Sequence, residues 1–280
     1  MGVLTMRVTY LGLGAVLVGM IAVPASRAAI PLVQAIETSI NIDAAYMHTQ
    51  YHENLHPTGD DENGFSPGFG VSIGSLLPIR PGYSPDLYTY LGYDFSAGDI
   101  HYDGHYILSG LPVAATDNAV FNRIEARIGL GYPLADGVEI IPFVAGGYQA
   151  WNRNINNRGV IGTDEFYHSG LFGAGVKLDV PVSPTVVVSA TGEIMGLAGG
   201  GITANGTDFG RGFGVTPLER FELSAADQIT PRWHVTGSAY VERFNYSGTH
   251  PEYFPGYYVY EPLSTTTQFG FTVGVGYSFD

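Results

Sequence analysis

S-T-T-T-Q-F-G-F-T-V-G-V-G-Y-S-F-D, residues Ser264 to Asp280, reads as one extended strand with two unlike faces. Successive side chains of a strand point to opposite sides. Thr265, Thr267, Phe269, Phe271, Val273, Val275, Tyr277 and Phe279 therefore share one face, and Thr266, Gln268, Gly270, Thr272, Gly274, Gly276 and Ser278 share the other. The first face is apolar and rich in aromatics; the second is small and polar. Such a strand at the end of the chain suits the closing stave of a barrel whose outside meets lipid and whose inside meets a crowded lumen.

The same alternation recurs upstream. Its cleanest internal example is Val120 to Tyr132, with Ile124, Ala126, Ile128, Leu130 and Tyr132 on one face and Arg123, Glu125, Arg127, Gly129 and Gly131 on the other. Charges on every second residue cannot face hydrocarbon, so that second face turns inward. Other outward sets are Ile40, Ile42, Ala44 and Tyr46; Phe69, Val71 and Ile73; Leu87, Leu91, Tyr93 and Phe95; Val138, Ile140, Val144 and Tyr148; and Phe172, Ala174, Val176 and Leu178. Three more follow: Val186, Val188, Ala190 and Ile194; Phe221, Leu223 and Ala225; and Trp233, Val235, Ala239 and Val241. Long polar connections are expected at His52–Gly64, from Phe95 to Ala119, at Asn152–Glu165, Leu197–Val215 and Asn245–Leu263. Short turns separate them, at Pro78–Pro85, Pro133–Gly137, Pro181–Thr185 and Thr230–Pro231. About ten strands result, each near the roughly 9 to 11 residues that a tilted membrane strand requires. The fold class is all-β: a transmembrane antiparallel up-and-down barrel, with Tyr132, Trp233, Tyr277 and Phe279 at one rim and Tyr46, Tyr93, Phe95 and Tyr148 at the other.

The chain start and the composition agree with that reading. Arg7, the apolar run Leu11–Val23, Pro24 and the small-residue site Ser26-Arg27-Ala28 have the layout of a secretory signal peptide, with cleavage expected after Ala28. This divides the chain into a signal peptide, 1–28, and a barrel, 29–280, with Ala29–Ala35 as a short lead. Glycine numbers 39 of 280 residues, aromatics reach 13% and charged residues only 14%, against a usual charged share of about 25%. No segment is apolar for the roughly 20 residues of a spanning helix, so only strands could cross a bilayer. The formal net charge is −14; removing Arg7 and Arg27 with the signal peptide makes it −16, which excludes nucleic acid as a partner because phosphates require Lys and Arg.

The aromatic-ended final strand closely resembles the C-terminal signature of bacterial outer-membrane β-barrel proteins. That resemblance implies residence in the outer membrane, short periplasmic turns, long outer loops, and recognition of Phe269, Phe271, Tyr277 and Phe279 by the barrel assembly machinery. In most of that family the aromatic is the last residue, whereas here Asp280 follows Phe279. In size, strand number and tall polar loops the chain also resembles the omptin proteases. In that family an Asp pair and an Asp–His pair face each other at the outer mouth. Asp-x-His occurs here at Asp99 and His101, without a facing Asp-x-Asp and in the wrong loop, so no catalytic residue is carried over.

Three functional readings follow. Inward Arg123, Glu125, Arg127, Lys177, Glu193, Arg220, Glu222 and Glu242 have mixed sign and can pair across the lumen, giving a plugged barrel with a structural or interaction role. Its partners are outer-membrane lipid and lipopolysaccharide, it needs no cofactor, and its acidic outer loops contact the medium. A surface protease or lipid-modifying enzyme would instead draw on Asp99, His101, Asp103 and His105, which share one face of an extended ribbon. Those four, or His48, His52 and His56 with the neighbouring acids Asp60, Asp61 and Glu62, are also the candidates for a divalent cation. A narrow porin is the third reading.

Overall fold

The computed structural model describes residues 31–55, 59–80, 82–106, 109–156, 162–209, 212–254 and 257–279; the expected signal peptide and His56 lie outside them. A short helix, α1 (Leu32–Glu37), precedes ten long strands. These are β1 (Ser39–Glu53), β2 (Asp61–Arg80), β3 (Tyr83–His105), β4 (Pro112–Pro133), β5 (Glu139–Asn156), β6 (Thr163–Pro181), β7 (Val186–Ala204), β8 (Thr216–Gln228), β9 (Trp233–Tyr246) and β10 (Ser264–Ser278). Each pairs antiparallel with the next, and β10 pairs with β1 from Ser39↔Ser278 to Glu53↔Ser264, which shuts the ring.

The register fixes the geometry. Starting at Gly74 on β2, the ladder passes through Tyr90, Arg127, Ala145, Gly173, Met195, Leu218, Phe244, Thr266 and Tyr51 and returns to β2 at Glu62. The walk ends 12 residues from where it began, so ten strands carry a shear of 12. Closure with such a stagger tilts the strands by roughly 35–45°.

Side chains divide by face as the alternation requires. Ile42, Val273, Ile194, Ile128, Val144 and Phe172 are all more than half exposed on the outer wall, an arrangement only hydrocarbon can satisfy over so long a belt. Aromatics mark its rims. Trp233 and Tyr277 meet edge to face at one, with ring centroids 5.1 Å apart. At the other, Tyr46 stacks on Phe65 at 5.1 Å, and His48 lies between Phe65 and Phe269 at 4.4 and 4.5 Å. Short turns close the first rim: Leu134 N–H donates to Val138 O at 2.7 Å and Val182 N–H to Val186 O at 2.9 Å. Asp136 and Gly137 take the left-handed conformation that makes the first of these turns tight.

Several expected boundaries move outward. β2 begins at Asp61 and β1 runs to Glu53, so the anticipated loop His52–Gly64 gives up residues at both ends to strands. The segment expected to be loop up to Ala119 is a ribbon, paired from Asp99↔Asn118 to His105↔Pro112. β5 and β6 likewise extend to Asn156 and from Thr163, and β7 reaches Ala204. Beyond the lipid belt both faces of a ribbon meet water or polar lumen, so pairing continues where hydrophobic alternation stops. His48 and His52 fall on strand β1, where i,i+4 spacing has no helical meaning. The lead Ala29–Ala35 is corrected in its second half by helix α1, whose Val33 and Ile36 are buried.

An arginine on the lipid belt tests this placement. Val273→Arg, at a position 70% exposed in mid-belt, is expected to destabilise the barrel by about 2–4 kcal/mol in urea titrations from lipid vesicles. Thr267→Arg, above the aromatic rim, should cost about 1 kcal/mol or less. Equal costs at the two positions would remove the belt.

Candidate functional site

The lumen is where the sequence concentrates its chemistry. Three residues of one β4 face, Arg123, Glu125 and Arg127, project inward and meet partners from the far wall. Arg123 bonds Glu125 and reaches Glu242 of β9; Arg127 donates to Glu125 at 2.6 Å and reaches Glu193 of β7. On β8, Arg220 bonds Glu222 at 2.8 Å and approaches Glu242 at 3.6 Å. Two guanidinium groups also lie over rings: Arg127 over Tyr90 at 4.8 Å and Arg220 over Tyr240 at 4.1 Å. Seven of the eight lumen residues named from the sequence thus form one network. The eighth, Lys177, sits nearer the periplasmic rim and pairs with Glu37 of α1 and, at 3.2 Å, with Asp179.

Apolar layers bound this network below and above. At the periplasmic end Val33 and Ile36 of α1 join Leu76, Tyr88, Ile141 and Val187. At the outer end Trp151 stacks on Phe121, centroids 4.7 Å apart, and joins Tyr51, Tyr167, Tyr246 and Phe244. Between the layers lies a polar cavity of about 240 Å³, lined in part by Asn41, Asp43, Asp94, Arg127, Arg220 and Tyr240. A polar space of that size holds water rather than vacuum.

A second charged group fills the outer mouth, above the membrane. Arg153 stands five residues beyond rim residue Tyr148 on β5, and Glu53 seven beyond Tyr46 on β1. A rise of about 3.3 Å per residue on tilted strands puts them roughly 12–18 Å above the rim. Arg153, 1% exposed, donates to Glu62 at 2.8 Å, to Glu165 at 2.7 Å and to the Tyr167 hydroxyl at 2.7 Å. It also lies over the Tyr51 ring at 4.6 Å. Around this one guanidinium crowd more carboxyls than it can neutralise. Burial, with Asp60 nearby, pushes Glu53 up to about 7. Burial pushes Asp117 up to about 6, and burial with Glu165 and Glu53 pushes Glu261 up to about 8. Sequence reasoning missed Arg153 and Glu261 because they fall in stretches read as loops, and it named Glu62 only as an acid beside a candidate cation site, whereas the structure gives it to Arg153. The available signal was phase: Trp151 and Arg153 continue the inward register of β5 past Tyr148. Glu37 was missed in the same way, in the stretch just past the expected lead.

The other candidates lie outside the barrel wall. Asp99, His101 and Asp103 point outward from β3, with the His101 and Asp103 side chains 3.1 Å apart and each 62% exposed. Asp99 accepts from Asn118 at 2.8 Å, and His105 is half-buried at the ribbon tip. His52 and Asp61 pair at 2.6 Å on the neighbouring strands. Among the described residues no group of three or more such side chains is arranged to hold a metal ion. Of the final-strand aromatics, Phe269, Phe271 and Tyr277 face outward, and Phe279 ends the strand with its N–H donated to Thr38 O at 3.1 Å.

No protein-family model matches the sequence, and no curated protein matches it. Among solved structures the chain is similar to the outer membrane protease OmpT from Escherichia coli, with a TM-score of 0.55, 9% identity and coverage of 87% of this chain and 97% of that one. The transport unit of the autotransporter AIDA-I from Escherichia coli aligns with a TM-score of 0.46 and 10% identity, covering 85% of this chain and 90% of that one. Ail, the attachment invasion locus protein of Yersinia pestis, aligns at 0.31 and 8%, covering 87% and 99%. Identities this low speak to fold alone. With its closed ring, lipid belt and charged lumen, the chain has the fold of the bacterial outer-membrane β-barrel proteins.

Proposed function

We propose that this barrel serves the bacterial surface in a structural and interaction role, with a closed lumen and outer ribbons presented to lipopolysaccharide and the medium. The observation that supports the reading is the filling of the lumen: apolar side chains toward each end and, between them, cations committed to carboxylate partners. Outside, just above the aromatic rim, Gln50, His52, Asp61, Asn63, His101 and Arg243 line a shallow groove of about 630 Å³. Hydrogen-bonding groups of both signs at that height suit the sugars and phosphates of the surrounding glycolipid. The surface-enzyme reading would draw on the same groove, where His101 and Asp103 stand beside His52 and Asp61; Asp99 and His105 do not line it.

Planar-bilayer recordings check the seal: the purified barrel is expected to remain silent, and sustained unitary conductance steps would favour the narrow porin instead. Removing one member of the lumen network should be costly. Arg123→Met leaves Glu242 with only the longer Arg220 contact and weakens the hold on Glu125, and is expected to destabilise by about 3–5 kcal/mol in urea titrations, with Glu242→Leu added to it recovering much of the loss. A midpoint no lower than that of a surface substitution would show the pairing to be immaterial. Finally, if the terminal aromatics are read during assembly, Phe279→Ala combined with Tyr277→Ala should reduce the amount of barrel recovered from outer membranes; undiminished recovery would rule that role out.

A further inference from the structure

The last outer segment returns to the barrel through Glu261, and what surrounds that side chain is unusual. Glu261 is 9% exposed although it belongs to a connection rather than a strand. Its Oε1 accepts from the Tyr167 hydroxyl at 2.7 Å and lies 3.2 Å from the Tyr51 hydroxyl. The same Tyr51 hydroxyl lies 3.2 Å from Oε1 of Glu53. A phenol owns one hydrogen, so it can donate to only one of two carboxylates; the other bond forms only if that carboxyl supplies its own proton. Tyr167 is shared in the same way, since it also lies 3.3 Å from Glu165 and accepts from Arg153.

We propose that Glu261 is a proton-operated latch: while Glu261 and Glu53 hold a proton between them the last outer segment stays seated in the mouth, and loss of that proton releases it.

Every element packed against Glu261 bears on this. β1 presents Tyr51 and Glu53; β5 presents Arg153; β6 presents Glu165 and Tyr167; β9 presents Tyr246. Just before β2 stands Asp60, whose N–H donates to Glu53 and whose carboxylate is bonded by Tyr102 of β3. His105, also on β3, lies beside Asp60. The one cation in this set, Arg153, is held by Glu62 and Glu165 and does not bond Glu261. Within the segment Thr249 N–H donates to Glu261 O at 2.9 Å and Glu261 N–H to Thr249 Oγ1 at 2.8 Å, bonds that would travel with it. Its two ends are held to the barrel, Asn54 N–H donating to Leu263 O at 2.7 Å and Gly214 N–H to Ser247 Oγ at 2.6 Å, so what the latch frees is the stretch between those anchors. An acid whose ionisation is resisted when docked contributes full docking strength below its usual range near 4.5, and loses it as pH rises through its docked value. For Glu53 and Glu261 that loss falls between pH 4.5 and 8.

The chain carries its own reporter. Its two tryptophans are Trp233, at the periplasmic rim, and Trp151, which touches both hydroxyl partners of Glu261: Tyr51 at 5.3 Å and Tyr167 at 5.7 Å between centroids. In the W233F barrel, folded in detergent micelles, Trp151 emission is expected to shift to the red and become more open to acrylamide as pH is raised from 5 to 9, with a midpoint between 7 and 8. W233F/E261Q should keep the low-pH emission across the range. W233F/E53Q should move the midpoint down, because the Glu53 charge no longer opposes ionisation of Glu261. A flat titration of W233F, or a W233F/E261Q curve that copies it, overturns the latch; so does an E53Q midpoint that stays in place. Trp151 reads the mouth whether or not ions cross the barrel, so a conducting channel would remove the closed-lumen reading and leave this one standing.

Discussion

In hydrocarbon a peptide N–H or C=O without a partner has no water to turn to, and each one left bare costs several kcal/mol. Every other property of this molecule follows from meeting that demand with strands. A sheet satisfies it everywhere except at its two edges, so the edges must find one another. The seam between β1 and β10 answers this along the whole of both strands, Ser39 to Glu53 against Ser278 to Ser264. Because the seam is full length, the lipid never meets an open edge.

Closure then dictates where polarity can go. With one face of each strand given to lipid, all charge at membrane depth is forced into a tube too narrow to hydrate it well. The chain answers with alternating sign along single strands, Arg-Glu-Arg on β4 and Arg-Glu on β8, so that the β4 guanidiniums find carboxylates on their own strand and across the lumen, and Arg220 finds them on its own strand and on the adjacent one. Buried pairs of this kind add little net stability beyond what apolar residues of equal volume would give, but losing one partner is strongly destabilising because it leaves the other charge buried and unpaired. Apolar side chains lie above and below the network and the cavity beside it. The mouth is different: six carboxyls gather there around one arginine, so its charges are not matched one to one as they are in the middle.

Within the belt the sequence was legible almost residue by residue, because hydrocarbon on one side and a polar lumen on the other force a period of two that nothing else imitates. Ile124, Ala126 and Ile128 against Arg123, Glu125 and Arg127 is that signal in its purest form. Above the belt it fades. Asp99, His101 and Asp103 on one face of β3 and Ile100 and Tyr102 on the other still alternate, yet a polar outer face looks like any solvated loop, and the ribbon was read as a connection. Pairing partners were illegible for another reason: Arg153 meets Glu62, 91 residues away, and only the shear brings those two strand positions to one height. Which tyrosine hydroxyl Glu261 reaches depends on the return path of a segment whose composition carries no such information.

Helix α1 lies in the periplasmic mouth against β2, β6 and β10, staves drawn from around the whole circumference, and Glu37 is clasped by Lys177 of β6. None of those surfaces face one another until the cylinder has curled. The complete seat of the helix, Lys177 included, is therefore a product of closure: the chain's own beginning plugs a doorway that only the joined staves create.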